Sequence, residues 1–226
     1  MKQKFPLAPE GYGVILTLGL PLLALVAAAL LRMPILAIVP GAFFVFLLAF
    51  FRDPARRIPA DPLVLVSPAD GRVTAVDEIE EPRHLGCRAV RVSIFLSIFN
   101  VHVNRIPAAG RVECVEYQPG KFLNAMDPDS ARVNENNFIG ITLDRPRVRI
   151  AVRQVAGLIA RRIVCTCRPG DALRAGDKIG MIRFGSRTEL YWPVSLGAAI
   201  AVKPGDKVHG GRTIIARLPE ENPGHP

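Results

Sequence analysis

Residues 63–76 read LVLVSPADGRVTAV: two short apolar runs, rich in valine, divided by Ser67-Pro68-Ala69-Asp70-Gly71. Runs this short, bounded by Pro, Asp and Gly, are strands joined by turns. Working outward, residues 88–96 (RAVRVSIFL), 101–117 (VHVNRIPAAGRVECVEY), 139–143 (IGITL), 148–157 (VRIAVRQVAG) and 161–167 (RRIVCTC) repeat the pattern. Residues 148–155 alternate apolar and polar side chains, as a half-buried strand does. No stretch after residue 60 carries a long stripe with a 3.6-residue period, so helices there should be few and short. Near the end, Pro169-Gly170-Asp171 followed by Gly176 and Ile179 recurs as Pro204-Gly205-Asp206 followed by Gly211 and Ile214, at an offset of 35 residues. Such a unit is a hairpin: Pro-Gly makes the turn, the second Gly the next one, and the apolar residues enter a sandwich. The expected fold is mainly β, barrel-sandwich-like.

The apolar excess lies elsewhere. Of 226 residues half are hydrophobic and only 7% aromatic, and the mean hydropathy is +0.26. Disorder is excluded by that composition. Residues 14–31 (VILTLGLPLLALVAAALL) and 35–51 (ILAIVPGAFFVFLLAFF) carry no charge and are separated only by Arg32, Met33 and Pro34. Each is about one bilayer core long at ~1.5 Å per residue, which predicts a membrane-anchoring helical hairpin over residues 1–52 ahead of a β-rich domain over 53–226. Pro21 and Pro40 favour kinks, so a hairpin re-entering one leaflet competes with two full spans. Lys2 and Lys4 precede the hairpin and Arg52, Arg56 and Arg57 follow it, against Arg32 alone at its tip. The positive-inside rule then puts both ends on the cytoplasmic face of the cell membrane.

With 29 Lys+Arg against 20 Asp+Glu the formal charge is +9, which suits adsorption to anionic lipid. Nucleic acid is not expected, because aromatic interleaving and a recognition motif are lacking. Cys87, Cys114, Cys165 and Cys167 include one C-x-C pair and no spacing paired with histidine, so reduced thiols are expected, with neither zinc nor a disulfide framework.

Between the two hairpin units stands RFGSRTEL, residues 183–190. A Gly-Ser pair alone is an ordinary tight turn. Together with VSPADGRV (residues 66–73), FNVHVNRIP (99–107) and the preceding apolar hairpin, it resembles the phosphatidylserine decarboxylase family in its short, pyruvoyl-dependent proenzyme form. The likeness runs in order over about residues 50 to 220, and three motifs in register are far more specific than one.

The resemblance implies self-cleavage between Gly185 and Ser186. Gly185 has no Cβ to obstruct attack on its carbonyl. The Ser186 hydroxyl would attack that carbonyl to give an ester, and loss of the Ser186 Cα proton would then expel the Gly185 carboxylate by β-elimination. Tautomerisation and hydrolysis would release ammonia and leave a pyruvoyl group at position 186, the covalent cofactor, with no metal. The products would be a β chain (1–185) and an α chain (186–226), together a heterodimer. As a carboxy-lyase the mature enzyme would bind the amine of phosphatidylserine as a Schiff base and draw off electrons as CO2 leaves.

A serine needs a base. Of four histidines, His225 lies in a Pro/Gly-rich tail, His209 in a hairpin turn and His84 in the polar segment EEPRHLG, which leaves His102, within the shared motif, as base and proton donor. Asp70, in SPADG, is the candidate to orient its imidazole. Long-form relatives carry a second histidine three residues on, where this chain has Arg105, so the base assignment stays open. For substrate, Asn134 and Glu135 match an N-E motif of the family, and Arg105 or Arg187 could fork onto the lipid phosphate. Ile94, Phe95, Leu96, Ile98 and Phe99 are either an acyl-chain groove or core. Head-group selectivity and homo-oligomerisation are left open. Two other classes fit less well: a non-catalytic anchored adaptor has no lysine displayed at the hairpin tip, and a zinc peptidase of the LytM type needs an H-x-H pair where residues 101–104 read VHVN.

Overall fold

The computed structural model describes residues 7–123, 133–157, 162–183 and 186–220. The chain divides into two compact units, Met1–Ala55 and Arg56–Pro226.

The first unit is two apolar helices, α1 (Pro9–Arg32) and α2 (Pro34–Phe50), with Met33 between them at φ −148°. Helix α1 widens to a π turn over Ile15–Gly19, immediately before Pro21. A proline inside a helix leaves a carbonyl without its donor, and a wider turn absorbs the misfit, so the expected irregularity is local. The helix is long and apolar enough to cross a membrane, whereas α2 is shorter. Leu18, Leu20, Leu23 and Leu31 are 49–87% exposed. Exposed apolar surface of this kind marks a face that meets a membrane or another apolar partner.

The second unit is mostly β, as expected. Its strands are β1 (Val64–Val66), β2 (Gly71–Glu81), β3 (Cys87–Leu96), β4 (Val103–Arg105), β5 (Gly110–Gln118), β6 (Asn136–Leu143) and β7 (Arg149–Ala156). They continue as β8 (Ile163–Cys165), β9 (Ala172–Leu173), β10 (Lys178–Ile182), β11 (Ser186–Pro193), β12 (Ala199–Ile200), β13 (Lys207–Val208) and β14 (Ile214–Arg217). Eight form an antiparallel sheet in the order β13-β2-β3-β11-β7-β6-β5-β9; β1-β14-β12 and β4-β10-β8 form two smaller sheets. Strand β11 lies between β3 and β7 and is buried along its whole length. Its inner face carries Leu190 and Trp192 into a core with Val92, Ile94, Leu96, Ile139, Ile141 and Val152. Each such side chain contributes about 1.5–3 kcal/mol on burial.

The hairpin repeat is real in backbone geometry. Gly170, Gly176, Gly205 and Gly211 all have positive φ, between 71° and 97°. Asp171 accepts from the Arg168 N–H at 2.8 Å and Asp206 from the Lys203 N–H at 2.9 Å, the same turn built twice. The two turns dock on a second repeat that sequence reading passed over: PADGRV (68–73) and PAAGRV (107–112). Arg72 donates to the Gly205 carbonyl and Arg111 to the Gly170 carbonyl, both at 2.6 Å. The two halves interlock reciprocally, Val66 N–H to the Pro107 carbonyl and Arg105 N–H to the Pro68 carbonyl, both at 2.9 Å. Gly71 and Gly110 are required by close approach, since a Cβ on either would lie 2.2–2.4 Å from a carbonyl oxygen of the next strand.

Candidate active site

Ser186 begins β11, paired with Leu96 of β3 and Ala156 of β7. It is fully buried, and its Oγ has no hydrogen-bond partner among the described residues. Burying a hydroxyl unsatisfied costs roughly 1–3 kcal/mol, so an orphan here is a mark of chemistry or strain. Phe184 and Gly185, and with Gly185 the carbonyl side of the expected cleavage bond, lie outside the described residues.

His102 immediately precedes β4 and is fully buried. Its segment is tied to the strands on both sides of the 183–186 connection. The Ile182 N–H, at the end of β10, donates to the His102 carbonyl at 3.3 Å, and Asn104 Nδ2 donates to Thr188 Oγ1 in β11 at 3.0 Å. His102 Nδ1 lies 3.0 Å from the Asn100 carbonyl oxygen. A carbonyl only accepts, so Nδ1 carries a proton, and in a neutral ring the lone pair is then on Nε2, the tautomer a general base needs.

Asp70 has different company from the expected imidazole. Arg56 NH2 meets both carboxylate oxygens at 2.9 Å, the Gly210 N–H donates at 2.8 Å, and His209 Nδ1 is 3.4 Å away. At Nδ1 of His102, the orienting group seen is the Asn100 carbonyl. Asp70 is nonetheless more than a turn residue: the matching turn of the second half has Ala109 in its place. The aspartate is therefore dispensable for the turn. His209, in its hairpin turn, is half-exposed and faces this carboxylate.

Asn134 and Glu135 brace the edge beside Ser186. Asn134 Nδ2 donates to the carbonyls of Ala156 (2.8 Å) and Leu123 (2.9 Å). The Glu135 carbonyl accepts from the Ala156 N–H at 2.9 Å, and its carboxylate from the Ile163 N–H at 3.3 Å. Since Ala156 is the cross-strand partner of Ser186, both lie one strand from it. The two arginines are separated. Arg105, 9% exposed, donates to the Gly176 carbonyl at 3.0 Å and packs under Gly211. Arg187 points to the opposite face of β11 from Ser186, as alternation requires, and pairs with buried Glu189 at 3.0 Å. Burial holds its guanidinium below the ordinary value, with Glu189 opposing. Tyr191 donates to the same carboxylate. Of the groove candidates, Ile94 and Leu96 are core, while Phe99 is 72% exposed.

Sequence reading missed a buried chain of amides. Asn137 Nδ2 donates to Gln154 Oε1 (3.0 Å), Gln154 Nε2 to Asn104 Oδ1 (2.8 Å), and Asn104 to Thr188. All four residues are 0–2% exposed. Polar residues inside otherwise apolar strands were the available signal, but only tertiary structure shows that they meet.

Ser186 is buried and unsatisfied among the described residues, at the head of a strand tied through Thr188 and Asn104 to the segment that bears His102. Comparisons with known proteins point to one family. The profile of the family described as phosphatidylserine decarboxylase matches residues 43–216. A phosphatidylserine decarboxylase proenzyme of Symbiobacterium thermophilum is 49% identical over 200 residues, covering 87% of this chain and 92% of that protein. A protein of the same name from Carboxydothermus hydrogenoformans is 43% identical over 218 residues, 96% of this chain and 99% of its own. Another, from Geotalea uraniireducens, is 44% identical over 219 residues, covering 95% and 97%.

Proposed function

Since the chain belongs to the phosphatidylserine decarboxylase family, we propose that it is made as a proenzyme, cuts itself between Gly185 and Ser186, and then converts phosphatidylserine to phosphatidylethanolamine in phospholipid biosynthesis. The observation that carries this reading is the buried, unsatisfied Ser186 Oγ at the head of β11. The segment that bears His102, tied to β10 and β11, suits the first step. His102, with its proton on Nδ1, accepts the serine proton at Nε2 as Oγ attacks the preceding carbonyl. Asp70 acts with Arg56 and His209 on the turn next to Arg105, holding the segment that bears His102.

A cut at residue 185 leaves the α chain as the central strand of the large sheet, in register with β3 over eight pairs and with β7 over six. That supports a heterodimer which stays assembled. A pyruvoyl group at position 186 would supply a carbonyl for the substrate amine and a sink for the electron pair left on the substrate Cα as CO2 departs. His102 would return a proton to that Cα. Asn134 and Glu135 shape the wall, and Arg105, on the segment that bears His102, is the candidate cation for a lipid phosphate, whereas Arg187 faces away from Ser186 and pairs with Glu189. Helix α1 and the +9 charge support work at the cytoplasmic face of the cell membrane, on anionic lipid.

Intact mass of freshly folded wild-type protein should show chains 1–185 and 186–226, the second with a blocked N-terminus. Ser186→Ala should remain one chain and release no CO2 from phosphatidylserine vesicles, with free serine as the control substrate. An uncut, active Ser186→Ala protein overturns the assignment.

A further inference from the structure

The Cys-Thr-Cys motif is unused by the chemistry above. Cys165 ends β8, the edge strand of the sheet β4-β10-β8, opposite Gly180. Its Sγ is 3.5 Å from the Cys167 Sγ, with both side chains turned the same way two residues apart. Cys165 is partly exposed and Cys167 is 6% exposed. We propose that Cys165 and Cys167 form a thiol-exchange site: Cys165 is attacked-from-solvent accessible and nucleophilic, Cys167 is the resolving thiol, and a low-molecular-weight disulfide closes them into an intramolecular disulfide.

The surroundings support this division of roles. The 3.5 Å contact with the Cys167 thiol lowers the Cys165 thiol from its ordinary value against the opposing effect of burial, with further help from the Cys167 backbone and the Asn137 side chain. That same contact, then burial and the charge on Cys165, hold the proton on Cys167. In the first step the Cys165 thiolate attacks one sulfur of the oxidant RSSR, giving a mixed disulfide and expelling RS⁻. Cys165 can then no longer act as an anionic acceptor, so its hydrogen bond and its charge no longer hold the Cys167 proton, and burial and the Asp171 charge remain. Cys167 gives that proton to water, and its thiolate attacks the Cys165 sulfur and expels the second RS⁻. In sum, two protein thiols and RSSR become one protein disulfide and two RSH. A thiolate of lowered basicity is also a weaker nucleophile, so the gain in the first step is only on the order of a few-fold. Proximity makes closure the distinguishing step.

The test uses full-length protein in detergent, exposed to oxidised glutathione at neutral pH, alkylated without reduction and digested with trypsin. The peptide starting at Ile163 should carry no alkyl group and be lighter by about 2 Da, and dithiothreitol should restore both alkylation sites. Cys87 and Cys114 should be alkylated throughout. Cys167→Ser should trap glutathione on Cys165. Full alkylation of the wild-type peptide, a stable glutathione adduct on it, or no adduct on Cys165 in Cys167→Ser would each overturn the proposal. The wild-type readout depends on neither variant nor on decarboxylation.

Discussion

Replacing Thr188 by Val removes one hydroxyl and keeps the shape of the side chain, so it isolates the last bond of the buried amide chain. Asn104 Nδ2 loses its acceptor at 3.0 Å, while its Oδ1 keeps the Gln154 donor. Asn104 and Thr188 are both fully buried, and water cannot replace the bond without a rearrangement. An unsatisfied buried amide costs about 1–3 kcal/mol. For a domain of this size, a loss near 2 kcal/mol lowers Tm by roughly 4–8 °C. Equilibrium unfolding in urea, on a Ser186→Ala background that keeps one chain, measures the first effect. The second effect is on maturation, because this bond ties the His102 segment to the strand that begins at Ser186. If up to 2 kcal/mol enters the barrier, self-cleavage slows by as much as about 30-fold, read as the rate at which chain 1–185 appears after a pulse of synthesis. A stability within about 0.5 kcal/mol of the parent would refute the energetic argument. Normal stability loss with an unchanged cleavage rate would refute the positioning argument.

Asp70→Asn strips Arg56 of its carboxylate at a site where both side chains are about one-tenth exposed; a loss of roughly 2–4 kcal/mol is expected, and adding Arg56→Met should recover part of it in urea melts. If Arg56→Met deepens the loss instead, the ion pair is not what Asp70 supplies. Burial lowers the pKa of His84, with Glu113 opposing and Arg149 assisting. The unfolded chain therefore takes a proton near pH 6.5 that the native state refuses, and stability falls as pH drops below about 6.5 towards the folded value; His84→Gln should flatten that slope in thermal melts taken between pH 7 and 5. Two glycines with positive φ separate conformation from space: Gly170→Ala has no atom within 4 Å of its Cβ, while the Cβ of Gly180→Ala would lie 2.2 Å from the Val164 carbonyl. The first should cost about 1–3 kcal/mol of backbone strain and the second clearly more, so equal losses would count against the packing argument.

The runs of valine and isoleucine between Pro, Gly and Asp were enough to predict strands, because strand formation depends on local alternation and turn chemistry. The apolar hairpin was equally legible, since eighteen uncharged residues have few other uses. The motifs around Asp70, His102 and Ser186 identified the chemistry as single stretches of sequence. Pairing was another matter. Which groups surround Asp70 depends on a turn at Gly210 and an arginine at position 56, and nothing local couples them. His102 looked as though it needed a carboxylate and found the Asn100 carbonyl two residues away. Arg105 and Arg187 read alike as phosphate ligands, but strand alternation sends Arg187 to the face opposite Ser186.

By itself, the sequence determined the strand-forming segments, the two apolar segments and the motifs that carry the family resemblance, because each is set by residue types at short spacing. Only the tertiary structure decided the register of β11 between β3 and β7, the burial of Ser186 Oγ and the meeting of Asn137, Gln154, Asn104 and Thr188. Those depend on antiparallel pairing between segments far apart in the chain, where a shift of one residue would turn every side chain to the other face.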